Sequence, residues 1–270
     1  MSETKKVGVI GIGFVGGTLR QWFESRGNAP LLYDKYKGLG SPEEVNRADI
    51  IFVAVPTPFD EKSKGYDKSA IREAVGLIQD GKIVVIKSTV LPGTSEELQG
   101  EHPGKTILFS PEFLREKTAW EDFQSPHTQI VSYARDDEAS RRAAEEVLAL
   151  LPVAPFSKVM RSREAEMIKC FRNIFLATRV VFANQLYDLC EALGINYDEV
   201  KDGAAVDPRV GGSYFEIWHE GYRGYGRSCL PKDTQALIAL AENLGVDFRL
   251  LKDVDIINKK LRGEGPGGAN

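Results

Sequence analysis

Residues 6–16 read Lys-Val-Gly-Val-Ile-Gly-Ile-Gly-Phe-Val-Gly, and this stretch decides the fold. A short apolar run is followed at once by glycines and then by an amphipathic segment over residues 14–26, an order typical of a strand, a turn and a helix. Gly11 permits the tight turn, Gly13 allows a ligand to approach the backbone, and Gly16 allows the helix to pack closely on the strand. Since a pyrophosphate fits at the N-terminus of such a helix, the pattern is typical of a dinucleotide-binding domain.

A carboxylate follows at the distance that this pattern requires. A second apolar run, residues 30–33, ends at Asp34, roughly 20 residues beyond the glycines. A carboxylate there can accept a hydrogen bond from the ribose 2′-hydroxyl and repels a 2′-phosphate, so the sequence predicts NAD rather than NADP. Lys35 weakens this preference slightly. The alternative is a glycine turn that binds no ligand.

Further apolar runs at residues 50–55, 82–86, 106–109 and 129–131 alternate with helical patterns. This alternation predicts an α/β fold with a Rossmann-like, doubly wound, mostly parallel sheet, in which ligands bind beyond the carboxyl ends of the strands. Polar residues that suit a site, or equally turns and helix caps, follow these strands. They stand in Pro56-Thr-Pro58, Lys87-Ser-Thr89 and Ser110-Pro-Glu112-Phe-Leu-Arg-Glu116.

The second half is predicted to be all-helical and built on a long central helix. Neither proline nor glycine interrupts residues 164–193, which at 1.5 Å per residue make a helix about 45 Å long. This segment is apolar around most of its circumference, which predicts a buried helix. We expect a cofactor domain over residues 1–155, a helical domain over residues 156–262 and a disordered tail over residues 263–270.

Two features of the second half are candidates for chemistry. Lys169 and Asn173 lie four residues apart and share one helix face. Lys169 could extend to solvent, or the two side chains could together donate hydrogen bonds to an oxyanion. Cys229 stands between glycines and a helical run that is predicted to begin near residue 234. A thiol near a helix N-terminus and a lysine is favoured as thiolate, whereas a buried structural cysteine is the alternative.

The composition excludes several classes of protein. The 270 residues carry a net charge of -4, so nothing in the bulk charge suggests a nucleic-acid partner. No apolar run is long enough for a membrane span, and the N-terminus lacks the apolar region of a signal peptide. The 3 cysteines have no paired spacing, which fits a reducing cytoplasm, and the 3 histidines form no cluster that would bind a metal.

Together, these segments resemble the UDP-glucose/GDP-mannose dehydrogenase family, a family of nucleotide-sugar dehydrogenases. The resemblance extends from the first glycines to about residue 260. It departs from the family at the end of the chain, because full-length members continue into a third, nucleotide-binding domain. The segments that carry it are Gly11-Ile-Gly-Phe-Val-Gly16, Val53-Ala-Val-Pro-Thr-Pro58, Lys87-Ser-Thr89, Ser110-Pro-Glu-Phe-Leu-Arg-Glu116, Lys169 with Asn173, Asp207-Pro-Arg209 and Cys229-Leu-Pro-Lys-Asp233.

The resemblance implies two successive oxidations, each using one NAD, that convert the C6 primary alcohol of a UDP-glucose-like nucleotide sugar to the uronic acid. It implies that Cys229 attacks the aldehyde to give a thiohemiacetal, which is then oxidised to a thioester. Lys169 and Asn173 would stabilise the oxyanion. These are the groups that acyl chemistry requires.

The remaining roles are carried over in the same way. The resemblance implies that Asp233 and Thr89 position a water and that Glu116 is the acid and base of thioester hydrolysis. The residues implied in substrate binding are Glu112, Phe113, Leu114, Arg209, Tyr214 and Gly226. The residues implied in cofactor binding are Gly11, Gly13, Phe14, Val15, Gly16, Asp34, Lys35, Pro56, Thr57, Thr89, Glu116 and Lys232.

Two alternatives stay open at this point. One is an NAD-dependent dehydrogenase of a small hydroxy acid or sugar acid, in which Lys169 and Asn173 act and Cys229 is incidental. The other is a catalytically weak remnant that binds NAD. The number of NADH molecules formed per substrate separates these possibilities. The apolar long helix predicts a homodimer, in which the resemblance implies that Arg209 reaches the site of the neighbouring subunit.

Overall fold

A computed structural model describes residues 5–227 and 229–264. The chain divides into two compact units. Unit 1 comprises Met1–Thr57 and Asp67–Lys169, and unit 2 comprises Pro58–Tyr66 and Cys170–Asn270. Most of the predicted disordered tail, residues 265–270, lies outside the described residues.

The strands that the structure describes form one large sheet and one hairpin. In chain order they are β1 Val7–Ile10, β2 Leu31–Tyr33, β3 Ile50–Val53, β4 Phe59–Asp60, β5 Gly65–Tyr66, β6 Ile83–Ile86, β7 Thr106–Phe109, β8 Thr128–Tyr133 and β9 Phe156–Arg161. Unit 1 holds the 7-stranded sheet, with the order β2-β1-β3-β6-β7-β8-β9, and unit 2 holds the hairpin of β4 and β5.

Neighbouring strands of the large sheet are parallel, except that β7 and β8 are antiparallel. The mostly parallel, Rossmann-like sheet predicted from the sequence is therefore confirmed. Strand β1 lies between β2 and β3, so the strand order reverses there. In open sheets of this kind, ligands bind at such a reversal, beyond the carboxyl ends of the strands.

The helices of the described residues follow the predicted alternation. They are α1 Phe14–Ser25, α2 Pro42–Val45, α3 Ser69–Leu77, α4 Thr94–Glu101, α5 Ala119–Gln124, α6 Glu138–Leu150, α7 Ser162–Leu193, α8 Tyr197–Ala205, α9 Cys229–Asn243 and α10 Arg249–Leu261, with a 3₁₀ turn at Glu116–Thr118. Across the part of the chain that the structure describes, no helix is long and apolar enough to cross a membrane.

The large sheet is covered on both faces. Alternate residues of β3 belong to different apolar clusters: Ile51 and Val53 lie in one, and Ile50 and Phe52 lie in the other. Successive side chains of a strand point to opposite faces, so each cluster lies on its own side of the sheet. This explains why the central strands read as continuous apolar runs rather than as alternating ones.

The start of α7 is attached to unit 1 by a buried carboxylate. Glu166 is fully buried and accepts hydrogen bonds from Gly93 N at 2.6 Å, Ser95 N at 2.9 Å and Ser95 Oγ at 2.6 Å. The bonds place a carboxylate at the N-terminus of α4, where the helix dipole favours negative charge. Burial nevertheless raises the pKa of Glu166. The contact fixes the turn of α7 that carries Lys169.

Helices α8, α9 and α10, together with most of α7, build unit 2. Ala177 and Val181 of α7 pack with Tyr225 and Val254 in one of its apolar clusters. The unit also contains the β4–β5 hairpin, in which Phe59 pairs with Tyr66. The sequence analysis did not predict this hairpin.

Helix α7 has 32 residues and is uninterrupted, as predicted, but it is not buried all round. Ala177 and Val181 are buried. Apolar residues separated by four or seven positions lie on another face of the same helix and are exposed by half or more. They are Phe171, Phe175, Phe182, Leu189 and Leu193, with exposures of 60%, 50%, 59%, 54% and 64%. We call them the apolar face of α7.

Candidate active site

The glycine loop after β1 has the geometry that a dinucleotide requires. Gly11 has a φ of 85°, and a Cβ there would lie 2.7 Å from the Ala54 carbonyl oxygen. A Cβ at Gly16 would lie 1.9 Å from the Gly11 oxygen, so only glycine fits at either position. A Cβ at Gly13 would meet no described atom within 4 Å. Among the described residues no side chain caps the N-terminus of α1, so its first N–H groups suit a phosphate.

Asp34 lies beside this loop. Its Oδ2 accepts a hydrogen bond from Ile12 N at 2.8 Å. Lys37, which the sequence analysis did not single out, donates from Nζ to the Ile12 carbonyl at 2.6 Å. Lys35 pairs with Glu73 at 2.7 Å, and this hydrogen bond raises the pKa of Lys35. Asp34 thus binds the backbone N–H of Ile12 and Lys37 binds its carbonyl, so both side chains fix the glycine loop.

The segments after β3 and β6 are tied together at the same edge of the sheet. Thr57 Oγ1 donates to the Thr89 carbonyl at 2.8 Å, and Ser88 Oγ donates to the Val55 carbonyl at 2.6 Å. Pro56 lies exposed between these contacts. Strands β1, β3 and β6 are consecutive and parallel in the sheet. Of the predicted cofactor residues, Pro56 and Thr57 therefore follow the strand next to the one that precedes the glycine loop, and Thr89 follows the strand after that.

A buried lysine to which the sequence analysis gave no role of its own lies beneath the next loop. Lys87 is only 3% exposed. Its Nζ lies 3.3 Å from Ser110 Oγ and 3.4 Å from Glu112 Oε2. Glu112 Oε1 in turn accepts a hydrogen bond from Phe113 N at 2.6 Å. A lysine directly after a buried strand is a signal that could have identified it, since buried lysines are paired. The cation holds Glu112 within the loop.

The end of this loop is held by Asp122. Its carboxylate accepts hydrogen bonds from Arg115 N at 3.0 Å, Arg115 Nε at 2.9 Å and Thr118 Oγ1 at 3.0 Å. The hydrogen bonds from Arg115 lower the pKa of Asp122 to about 2. Between these contacts lies Glu116, exposed at the start of the 3₁₀ turn. Leu114 packs against an apolar cluster of the sheet.

Lys169 is the last residue of unit 1. Its Nζ lies 5.6 Å from the centre of the Phe113 ring, a distance at which a cation and a ring attract each other. The structure thus brings the predicted oxyanion cation next to a predicted substrate residue. Within unit 1 it also brings the glycine loop, Asp34, Pro56, Thr57 and Thr89 to one edge of the sheet.

In unit 2, Cys229 is the first residue of α9, earlier than the predicted start near residue 234. The helix begins here because Pro231 falls in its first turn, where the missing N–H costs no helical hydrogen bond. Cys229 is exposed, whereas Cys170 and Cys190 are buried. The thiol is therefore accessible to a reactant at the N-terminal end of this helix.

Asp233 lies in the next turn and is 1% exposed. Its Oδ1 accepts hydrogen bonds from Tyr66 Oη at 2.6 Å and Lys232 Nζ at 2.7 Å. Its Oδ2 accepts a hydrogen bond from Asn173 Nδ2 of α7. The structure therefore brings the predicted residues Asn173, Lys232 and Asp233 together. It adds Tyr66, which no sequence signal had indicated.

The predicted substrate residues of the loop between α8 and α9 are more scattered. Arg209 has an 88% exposed side chain and pairs with Asp207 at 2.6 Å. Tyr214 has a left-handed backbone with φ of 65°. A Cβ at Gly226 would lie 3.1 Å from the guanidinium end of Arg262, so a larger residue there would require Arg262 to shift by a few tenths of an ångström. Among the described residues, no group of His, Cys, Asp and Glu could hold a metal ion.

Comparison with known proteins identifies the family. The sequence model of the NAD binding domain of the UDP-glucose/GDP-mannose dehydrogenase family matches residues 34–150, and that of its central domain matches residues 163–260. The chain belongs to the UDP-glucose/GDP-mannose dehydrogenase family. The resemblance inferred from the sequence is thus confirmed, as is the prediction of NAD as the cofactor.

Members of this family with assigned activities are similar over much of the chain. UDP-glucose 6-dehydrogenase AglM of Haloferax volcanii is 32% identical, and the match covers 94% of this chain and 69% of that protein. A UDP-glucose 6-dehydrogenase of Rhizobium meliloti is 35% identical over 79% of this chain, which spans 51% of the relative, about half its length. A UDP-glucose dehydrogenase structure from Pyrobaculum islandicum superposes with a TM-score of 0.83 at 29% identity, covering 96% of this chain and 69% of that one.

Proposed function

We propose that this chain catalyses the NAD-dependent, two-step oxidation of the C6 primary alcohol of a nucleotide sugar of the UDP-glucose type to the uronic acid. The observation that carries the proposal is the exposed thiol of Cys229 on the first turn of α9, one turn before the buried carboxylate of Asp233. An ordinary alcohol dehydrogenation needs no thiol. The second oxidation needs one, because an aldehyde must first form a tetrahedral adduct. The names of the similar proteins support the nucleotide-sugar substrate.

In the first half-reaction the substrate alcohol loses a proton and a hydride and becomes an aldehyde. NAD, when bound, accepts the hydride of each oxidation. The glycine loop, Asp34 and the uncapped N-terminus of α1 are suited to hold it. Lys169 and Asn173 stabilise the negative charge that develops on the alcohol oxygen.

In the second half-reaction the thiolate of Cys229 bonds to the aldehyde carbon, and the resulting thiohemiacetal loses a second hydride to become a thioester. Thr89 and Asp233 position a water, whose oxygen bonds to the carbonyl carbon as the carbon–sulfur bond breaks. Glu116 accepts a proton from that water. Overall, one alcohol, two NAD and one water give one carboxylate, two NADH and three protons.

The test counts NADH per molecule of nucleotide sugar. We expect two for the wild type, and no carboxylate from Cys229→Ala, which keeps NAD binding. Lys169→Ala should slow both oxidation steps by roughly 10²–10³-fold, because the same cation stabilises the oxyanion of each. A yield of one NADH would indicate a simple dehydrogenase of another hydroxyl substrate, and none would indicate an NAD-binding protein. If Cys229→Ala still forms the carboxylate at the wild-type rate, the thiol mechanism is wrong.

We also propose that the chain forms a homodimer through the apolar face of α7. The exposed aromatic and aliphatic side chains of this face support an interface, because such a contiguous patch is costly in water. In this dimer Arg209, whose side chain extends into solvent in one subunit, would contribute to the neighbour's substrate site.

A further inference from the structure

Tyr66 ends the β4–β5 hairpin of unit 2 and contacts the residues around the thiol. It is 5% exposed, and its hydroxyl donates a 2.6 Å hydrogen bond to Asp233 Oδ1. The hairpin is closed by its own turn, since Asp60 accepts hydrogen bonds from Lys62 N and Ser63 N at 3.1 Å. A short hairpin thus presents one buried hydroxyl to one buried carboxylate.

The partners of Asp233 divide between its two oxygens. Tyr66 and Lys232 donate to Oδ1, while Asn173 of α7 donates to Oδ2. A carboxylate held on both oxygens has little freedom to rotate. Without the hydroxyl of Tyr66, Oδ1 would depend, among the described residues, on the flexible Lys232 side chain. The tyrosine is the rigid donor, because its hydroxyl sits on a packed ring.

The ring of Tyr66 makes a second contact with the same turn of α9. Lys232 Nζ lies 4.3 Å from the ring centre, within the range of a cation–π interaction. One side chain therefore contacts two consecutive residues, Lys232 and Asp233, which follow Cys229 by three and four positions in α9. Burial, followed by the charge of Asp233, raises the pKa of Tyr66 well above its ordinary value, so the hydroxyl remains a donor at neutral pH.

We propose that Tyr66 is a positioning residue of this site: it holds the Asp233 carboxylate in the orientation that thioester hydrolysis uses, and holds the first turn of α9 that carries Cys229. This inference rests on the proposed function. It assigns a role to a hairpin that lies in the cofactor half of the sequence but belongs to the unit that carries the thiol.

The experiment compares Tyr66→Phe with Tyr197→Phe. Tyr197 is also buried in unit 2, and its hydroxyl donates to the Phe215 carbonyl at 2.9 Å, so both variants lose one buried tyrosine hydrogen bond. For Tyr66→Phe we expect kcat for acid formation to fall about tenfold, the order of one hydrogen bond to a charged group. The KM for NAD should not change. The acyl adduct on Cys229 should accumulate in intact-protein mass spectra, because the water step is slowed. Tyr197→Phe should show neither effect.

A second readout does not need turnover. With the Tyr66 hydroxyl lost, the start of α9 that carries Cys229 is held less firmly, so iodoacetamide should modify Cys229 faster in Tyr66→Phe than in Tyr197→Phe. If the wild type forms no acid, the proposed function fails, and this labelling rate alone decides the role of Tyr66. If the wild type is active but Tyr66→Phe matches Tyr197→Phe in kcat, adduct and labelling rate, Tyr66 is only structural and the inference is overturned.

Discussion

At the scale of single residues, both carboxylate oxygens of Asp34 already accept hydrogen bonds from the backbone of the protein. Oδ2 accepts from Ile12 N, and Oδ1 accepts from the backbone N–H groups of Tyr36 and Lys37 at 3.0 Å and 3.1 Å. A carboxylate oxygen has more than one acceptor position, so a ribose hydroxyl can still donate to it. The same residue therefore shapes the glycine loop, and we propose that it also selects the cofactor.

This double role gives a prediction about cofactor choice. The wild type should bind NADH more tightly than NADPH, because a carboxylate opposes a 2′-phosphate. Asp34→Asn should reduce that preference by about tenfold, or roughly 1.4 kcal/mol, since the charge is lost while an oxygen acceptor remains. Fluorescence titration with both reduced cofactors measures it. Asp49→Asn is the control, because Asp49 also accepts a backbone hydrogen bond, from Lys6 N at 2.9 Å. Equal affinity of the wild type for both cofactors would refute the role of Asp34.

At the scale of structural elements, the ion pair between Arg115 and Asp122 holds the end of the loop that carries Glu116. Arg115 lowers the pKa of Asp122 from 3.8 to about 2, so the ionised carboxylate stabilises the folded state at pH values above its unfolded pKa. This stabilisation is lost as the pH falls through the folded pKa. The pair also fixes the 3₁₀ turn at Glu116–Thr118, since Thr118 shares the same carboxylate.

Asp122→Asn should therefore lower the free energy of unfolding at pH 7, and the difference from the wild type should shrink as the pH falls below about 4. Urea denaturation at a series of pH values measures this difference. Glu121→Gln provides the comparison, because it neutralises an exposed carboxylate of the same helix. A difference that stays constant between pH 7 and pH 3 would show that Arg115 does not stabilise the ionised form of Asp122.

The elements also show why some features could be predicted from the sequence and others could not. The glycine loop was predictable because Gly11 and Gly16 leave no room for a Cβ, and the length of α7 because no proline or glycine interrupts it. The hairpin was not, because its strands have two residues each and show no periodicity. Tyr66 was missed because its partner Asp233 is 167 residues away. The exposed face of α7 was missed because composition does not reveal which apolar side chains are covered.

At the scale of the whole molecule, the apolar face of α7 predicts the assembly. Sedimentation velocity at micromolar concentration should show a dimer for the wild type and a monomer for Phe182→Glu, because a carboxylate on this face would be buried without a partner. Ile256→Glu is the matched control: Ile256 is 63% exposed, comparable to the 59% of Phe182, but lies on α10. A wild type that sediments as a monomer would remove the basis for a shared Arg209.

The division of the chain into units constrains how the protein can be made and cut. Unit 2 contains Pro58–Tyr66, which the ribosome synthesises long before the rest of that unit. The hydrogen bond of Tyr66 to Asp233 can therefore form only after a further 167 residues have been synthesised. No single proteolytic cleavage or gene boundary releases both units whole. A fragment that begins at Cys170 would carry Cys229 and Asp233 without the hairpin. When chimaeras are made between relatives, residues 58–66 and α9 should therefore be taken from the same parent, although they are far apart in the sequence.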